Sequence, residues 1–393
     1  MNPALLALLL AVTPMADSVA VGDSVARALG ADPATRVDYL WVTRSTLQSR
    51  ESIDRMVERA ALMHVRGMLV QVVGRGDAWY RSERLPRAEG LAGTPADFDP
   101  LARVVEAAHP RGLEVHAWIN CALVWSGDHP PRDPRHVARS HPEWFGWTSD
   151  GQAVLHMGPR RWKRLGIEGA YLSPAHPGVR AWVAGTAAEI ARRYAVDGIH
   201  LDYIRTSGAD LGFDNATRAA FALESGIDRS RLPRLTAVER TRLDTAFAAF
   251  QGRQVTAIVR AVRDSLEALR PGLVLSAAVR PDPREASRYF GQPWEGWLSE
   301  RLLDRVFPMC YSPSTQVVLD QLQRIATPAL KGRVIPGIAV YNAGPTRAAS
   351  NLQGARALGF AQLALYSYDS LFASQRYWER LNELLQSATA TQP

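Results

Sequence analysis

Asp202 closes the run Gly198-Ile199-His200-Leu201-Asp202-Tyr203-Ile204, in which Ile199, Leu201 and Tyr203 alternate with Gly198, His200 and Asp202. In a strand this period of two sends the sets to opposite faces, so His200 and Asp202 share one face. A carboxyl at the end of an apolar run is costly to ionise. Where water is excluded, its pKa rises toward the working range of a general acid. Glu114 to Asn120 (EVHAWIN) repeats the pattern, with His116, Trp118 and Asn120 on one face and Val115, Ala117 and Ile119 on the other. The two histidines lie one layer deeper than Asp202 and Asn120 and read first as packed, hydrogen-bonded core residues. His116, His200 and Asp202 could also converge on a metal. However, the first strand, Tyr39-Leu40-Trp41-Val42-Thr43, lacks the His-x-His pair with which metal-dependent hydrolase barrels usually begin, so no metal or cofactor is expected. Cys121 and Cys310 have no obvious paired base and read as small buried thiols, on strands too far apart for a bridge.

Aromatic residues point the carboxyl chemistry toward sugars. Of the 11 Trp, those at 79, 125, 144, 147, 162, 294 and 297, with Tyr80, fall in stretches after the second, third and fifth strands. Flat C–H faces of sugar rings stack on such side chains, while Asn, Asp and Arg meet the hydroxyls. Stacking is expected from Trp79, Trp118 and Trp125, and polar contacts from Asn120, His200, Arg205, Arg280, Tyr311, Tyr341 and Tyr368. Glycoside hydrolysis ordinarily needs two carboxyl groups, about 5 to 5.5 Å apart for retention or about 6.5 to 9.5 Å for inversion. With Asp202 as the first, Asp282 and Asp369 rank highest for the second because both follow strand ends closely, ahead of Asp77 and Glu295. An N-acetyl group on the substrate could instead supply the nucleophile, with Asn120 or His200 orienting it.

Eight short β-branched or aromatic runs, alternating with helical patterns, must position these residues. The strands are predicted near 37–43, 68–73, 113–120, 198–204, 273–279, 305–311, 334–341 and 360–366. Ser49 and Asp99-Pro100 open helices, and Gly67 and Gly112 close them. Eight βα units without a break in composition predict a single (β/α)8 TIM barrel over 37–388. A doubly wound sheet would want a glycine-rich turn after its first strand, where Thr43-Arg44-Ser45 stands. Long stretches follow strands two, three and four (74–97, 121–176 and 206–235), against about 2 to 6 residues in ordinary connections. They mark the C-terminal face as the functional one.

The 393 residues are 47% hydrophobic and 22% charged, which excludes a disordered chain. The formal charge of +7 comes almost wholly from Arg scattered among 39 acidic residues, without a nucleic-acid recognition motif, so nucleic acid is not an expected partner. Ala4 to Val12 is apolar but too short to span a bilayer. With Ser18-Val19-Ala20 after it, residues 1–20 resemble a secretory signal peptide, although no Lys or Arg precedes the apolar run. Residues 21–36 would then be a linker, and the mature protein a periplasmic or extracellular one with no membrane span.

Glu114 to Asn120, Leu172-Ser173-Pro174 leading to Val179-Arg180, Val196 to Arg205 and Pro308 to Tyr311 occur in this order, with Trp294 to Leu303 before the last. Together they resemble the bacterial glycosyl-hydrolase-like family ten, distinct from the family ten xylanases. The resemblance implies a barrel glycoside hydrolase with the acid at 202 in its active site, acting on a polysaccharide such as peptidoglycan glycan strands. Members often carry two adjacent acids where this chain has Asp202-Tyr203, and an Arg within the segment that here reads Trp294-Glu295-Gly296-Trp297. The competing expectations are a catalytically inactive glycan-binding barrel and, less favoured, a metal-dependent hydrolase.

Overall fold

The computed structural model describes residues 36–208, 211–227, 236–328, 330 and 332–389. The expected leader and nearly all of the expected linker lie outside these residues. Eight parallel strands close into a barrel: β1 (Tyr39–Val42), β2 (Gly67–Val73), β3 (Glu114–Asn120), β4 (Gly198–Asp202), β5 (Val274–Val279), β6 (Arg305–Cys310), β7 (Gly337–Ala339) and β8 (Ala364–Tyr366). Each pairs with the next, and β8 returns to β1 with Leu365 beside Leu40. With helices around it, this is the (β/α)8 TIM barrel that the eight-fold alternation predicts.

The period of two decides what fills each side of the wall. Val115, Ala117, Ile119, Ile199 and Leu201 pack in the layer between strands and helices. Tyr39, Trp41, Leu69, Trp118, Phe307 and Ile335 fill the barrel itself. The helices begin where local chemistry supplies partners for their free N–H groups. Ser49 and Ser52 form a capping box before Arg50–Leu62, and Asp99 accepts the Ala102 N–H before Pro100–Ala108. Thr236 and Glu239 form another before Ala237–Leu269. The short helix expected at 297–303 instead spans Trp294–Ser299. It starts behind Pro293, and Leu302 and Leu303 turn back toward Trp297 on the way into β6.

Two ends of the barrel have different characters. At the N-terminal end, Glu114 accepts from Arg66 Nε at 2.8 Å, from the Tyr39 hydroxyl at 3.1 Å and pairs with His116 Nε2 at 3.1 Å, with Arg305 alongside. Burial alone would raise the Glu114 pKa, but the His116 and Arg66 hydrogen bonds and charges overcome it and hold the carboxyl down at about 2. At the C-terminal end the chain wanders. Within 121–176 it forms a small antiparallel pair, Leu123–Trp125 with Ala170–Tyr171. Among the described residues, no helix is long and apolar enough to cross a membrane.

Candidate active site

A cavity of about 940 Å³ opens at the C-terminal mouth, floored by strand ends and walled by loops. Asp202 enters it from the last position of β4, with Asn120 of β3 directly beside it in register. Asp202 is 6% exposed, and burial of its carboxyl pushes the pKa up to about 6, against the opposing pull of Arg205. The next residue, Tyr203, sits in the left-handed region at φ 49°, a conformation that costs a residue with a side chain of order 1–3 kcal/mol. Its N–H donates to Asp202 Oδ1 at 2.6 Å.

Glu168 is a further carboxylate in the cavity lining, and sequence spacing gave no sign of it. It precedes the Ala170–Tyr171 strand, far from any barrel strand end, and reaches the cavity because the antiparallel pair folds that loop back over the mouth. Arg205 donates to Glu168 Oε1 at 3.2 Å, and the Tyr171 hydroxyl donates to Oε2 at 2.6 Å. The charge of Glu168 also raises the Asp202 pKa, so the two carboxylates sense each other across one cleft. The Asp202 carboxyl is buried, while the Glu168 side chain is half-exposed.

The remaining expected residues divide. Trp79, Trp118, Asn120, Trp125, Arg205, Arg280, Tyr311, Tyr341 and Asp369 all line the cavity. Asn120 is committed to architecture: its Oδ1 accepts from Trp118 Nε1 at 2.9 Å and its Nδ2 donates to the Gly74 carbonyl at 2.8 Å. Asp369 accepts from the Thr43 N–H at 2.9 Å and the Thr46 hydroxyl at 2.5 Å, tying the β8 end to the turn after β1.

Three expectations are corrected. Asp282 caps the helix Pro283–Phe290 through the N–H groups of Arg284 and Glu285 and pairs with Arg324 at 2.7 Å, so its carboxylate serves a helix end outside the cleft lining. His200 is buried below the mouth. Trp41 Nε1–H donates to its Nε2 at 3.2 Å, which places the ring proton on Nδ1, facing Ser276 Oγ at 2.9 Å. Burial drives its pKa well below the ordinary value, and it is a neutral packing group. Tyr368 turns away from the cavity, against Phe372 and Arg59.

Of the tryptophans beyond the strands, Trp79 and Trp125 reach the cleft, whereas Trp162, Trp294 and Trp297 are buried in packing and Trp144 stacks on His141 elsewhere. Trp41 and Tyr366 complete the aromatic wall, with Tyr366 stacked on Tyr311 at 5.1 Å and Tyr341 edge-on to both. Their strand-end positions were the available signal. The loops after β2 and β3 wall the cleft as expected, but beyond Arg205 the described residues of the loop after β4 do not line it.

Among the described residues, no group of three or more His, Cys, Asp or Glu gathers as metal ligands. The trio weighed for that role is otherwise engaged, His200 with Trp41 and Ser276, His116 with Glu114, and Asp202 with Tyr203. Cys121 and Cys310 are buried free thiols.

A closed barrel with coupled carboxyls and an aromatic-walled cleft at its C-terminal mouth has the architecture of the glycosidase barrels. The chain belongs to the glycosyl hydrolase-like 10 family, whose model matches residues 34–348. It is 25% identical over 323 residues to glycosyl hydrolase DigH of Escherichia coli strain K12, covering 77% of this chain and 68% of that one. It is 26% identical over 163 residues to glycosyl hydrolase YngK of Bacillus subtilis strain 168, covering 40% and 28%. Among solved structures, it superposes on α-L-fucosidase isoenzyme 2 from Paenibacillus thiaminolyticus with a TM-score of 0.60 at 14% identity, over 90% of this chain and 49% of that one. The catalytic mutant of Gan42B, a β-galactosidase from G. stearothermophilus, gives 0.58 at 13% identity, over 89% and 56%. The chain thus spans about half the length of these two structures, and the likeness is one of fold.

Proposed function

We propose that this protein is an exported glycoside hydrolase that cleaves an amino-sugar polysaccharide such as the glycan strands of peptidoglycan. The reading is carried by one observation: a buried carboxyl with its pKa near 6 at the barrel mouth, coupled to a second carboxylate across an open, aromatic-walled cleft. Asp202 is the general acid, protonated in a weakly acidic medium and giving its proton to the glycosidic oxygen as the C–O bond breaks. Glu168 supplies the second carboxylate at the anomeric carbon, directly or through a water. Arg205, in contact with Glu168 and over the Tyr203 ring at 4.6 Å, orients that carboxylate and contributes to setting the Asp202 pKa. Tyr311, Tyr341 and Tyr366 form the stacking wall, and Trp79 and Trp125 extend it along the cleft.

The test is to incubate the purified protein with peptidoglycan and with chitin fragments and to identify released pieces by mass. Cleavage of a glycosidic bond that Asp202→Asn and Glu168→Gln each slow at least 100-fold is the expected result. Retained cleavage by Asp202→Asn would remove the central assignment. Binding without cleavage would leave a glycan-binding barrel.

A further inference from the structure

A basic cluster lies outside the cavity lining, in the excursion after β3. Helix Pro159–Leu165 places Arg160, Arg161, Lys163 and Arg164 within seven residues, and 151–167 contains no acid. Arg161 pairs with Asp150 at 2.6 Å. Arg160, Lys163 and Arg164 are exposed, and none has an acidic partner within ion-pair distance among the described residues. The next acid along the chain, Glu168, is held by Arg205 and the Tyr171 hydroxyl. Helix stability does not account for Arg160. It stands in the first turn, where free N–H groups already carry partial positive charge and a cation is unfavourable.

The platform beneath these cations is fixed. Trp162 is buried, its Nε1–H donates to the Val154 carbonyl at 2.9 Å, and Gly166 ends the helix at φ 70°. The turn 146–154 closes with the Val154 N–H on the Gly146 carbonyl, and Asp150 within it takes Arg161. Trp147 of this turn pairs with Ala153 through the backbone, and its side chain is 41% exposed. Turn and helix thus present an exposed indole together with three unpaired cations. Indoles settle at the boundary between water and hydrocarbon, and Lys and Arg are drawn to anionic headgroups. A soluble polyanion would use the cations and leave the indole idle. We propose that helix Pro159–Leu165 and Trp147 form a docking surface for a bilayer carrying anionic phospholipid. The helix has seven residues and its Trp162 is turned into the protein, so it lies on the headgroups and does not cross. Arg164 stands shortly before Glu168 of the cleft lining, so docking brings the rim of the barrel mouth to the membrane.

The experiment is vesicle sedimentation with the purified protein, so it does not depend on turnover. Phosphatidylcholine vesicles with about 30% phosphatidylglycerol are compared with phosphatidylcholine alone at about 0.1 M and about 1 M salt, where the screening length shortens from roughly 10 Å to roughly 3 Å. Partitioning to the anionic vesicles is expected at the lower salt and its loss at the higher. Each cation near such a surface strengthens partitioning about fivefold, so Arg160→Gln with Lys163→Gln and Arg164→Gln is expected to weaken it about 100-fold. Arg160→Lys with Arg164→Lys, which keeps the charge, is expected to retain binding. Trp147→Ala is expected to weaken partitioning while leaving its salt dependence intact. Loss of three exposed arginines elsewhere, Arg50, Arg55 and Arg347, serves as the control for net charge. A weakening in that control equal to the loss at the helix overturns the surface. Equal partitioning to neutral vesicles, or capture by soluble polyphosphate without binding to anionic vesicles, overturns it as well.

Discussion

In the proposed reaction Asp202 concentrates the chemistry in one buried carboxyl, and its pKa makes two opposite demands. Its folded value of about 6 lies above the ordinary 3.8, so the folded protein holds a proton that the unfolded chain has lost between those pH values. The stability from this group is complete below the unfolded value and is lost as pH rises through 6. Activity that needs the protonated acid should fall over the same upper limb, giving kcat/KM a descending limb near pH 6 that a pH–rate profile would reveal. Asp202→Asn keeps an oxygen for the Tyr203 N–H while removing the charge. It should abolish cleavage yet raise stability by roughly 2 kcal/mol at pH 7 to 8, read as a higher melting temperature. A variant that melts lower there would show that the buried charge is better compensated than its surroundings indicate.

At the scale of elements, the β4 strand and the 121–176 excursion do different work. The strand delivers Asp202 by period and register. The excursion delivers Glu168 and Trp125 by folding its own antiparallel pair, and Gly169 sits where only a residue without Cβ fits, since a Cβ there would lie 2.1 Å from the Trp125 carbonyl oxygen. Gly169→Ala should therefore cost about 1–3 kcal/mol through overpacking. It should lower kcat more than a surface substitution of equal stability cost, because it displaces the neighbouring Glu168. Kinetics alongside urea unfolding separates the two effects. Gly198, at the start of β4, is closed by His116 Nδ1 at 2.2 Å and the Val274 carbonyl oxygen at 2.8 Å from an added Cβ. Gly198→Ala should thus destabilise the barrel by about 1–3 kcal/mol.

For the whole molecule, the two ends of the barrel set opposite pH limits. Glu114 at the N-terminal end has its folded pKa held near 2, below the ordinary 4.5. Its contribution is present above the unfolded value and is lost as pH falls toward 2, the reverse of Asp202. Thermal melts across pH should show acid destabilisation below about pH 4.5 that Glu114→Gln flattens, and a separate decline as pH rises from the ordinary 3.8 through about 6, level above it, that Asp202→Asn removes. If both variants follow the wild-type curve, the stability limits lie in other groups.

The sequence by itself determined the eight-stranded barrel, the faces of β3 and β4 and the place of Asp202. Strand period and helix caps are local, set by neighbours a few residues apart, so Val115, Ala117 and Ile119 could be assigned to the outer layer before any contact was known. The partner of Asp202 was not legible in this way. Glu168 lies 34 positions away on a loop with no period, and only the folding of 121–176 over the mouth brings its charge to bear on Asp202. Asp282 shows the converse, a carboxyl close to a strand end in sequence that a helix N-terminus and Arg324 claim instead. Proximity along the chain fixes secondary structure because its hydrogen bonds are local. The proposed carboxyl pair is fixed by distance and dielectric in three dimensions, and only the closed barrel with its loops in place decides those.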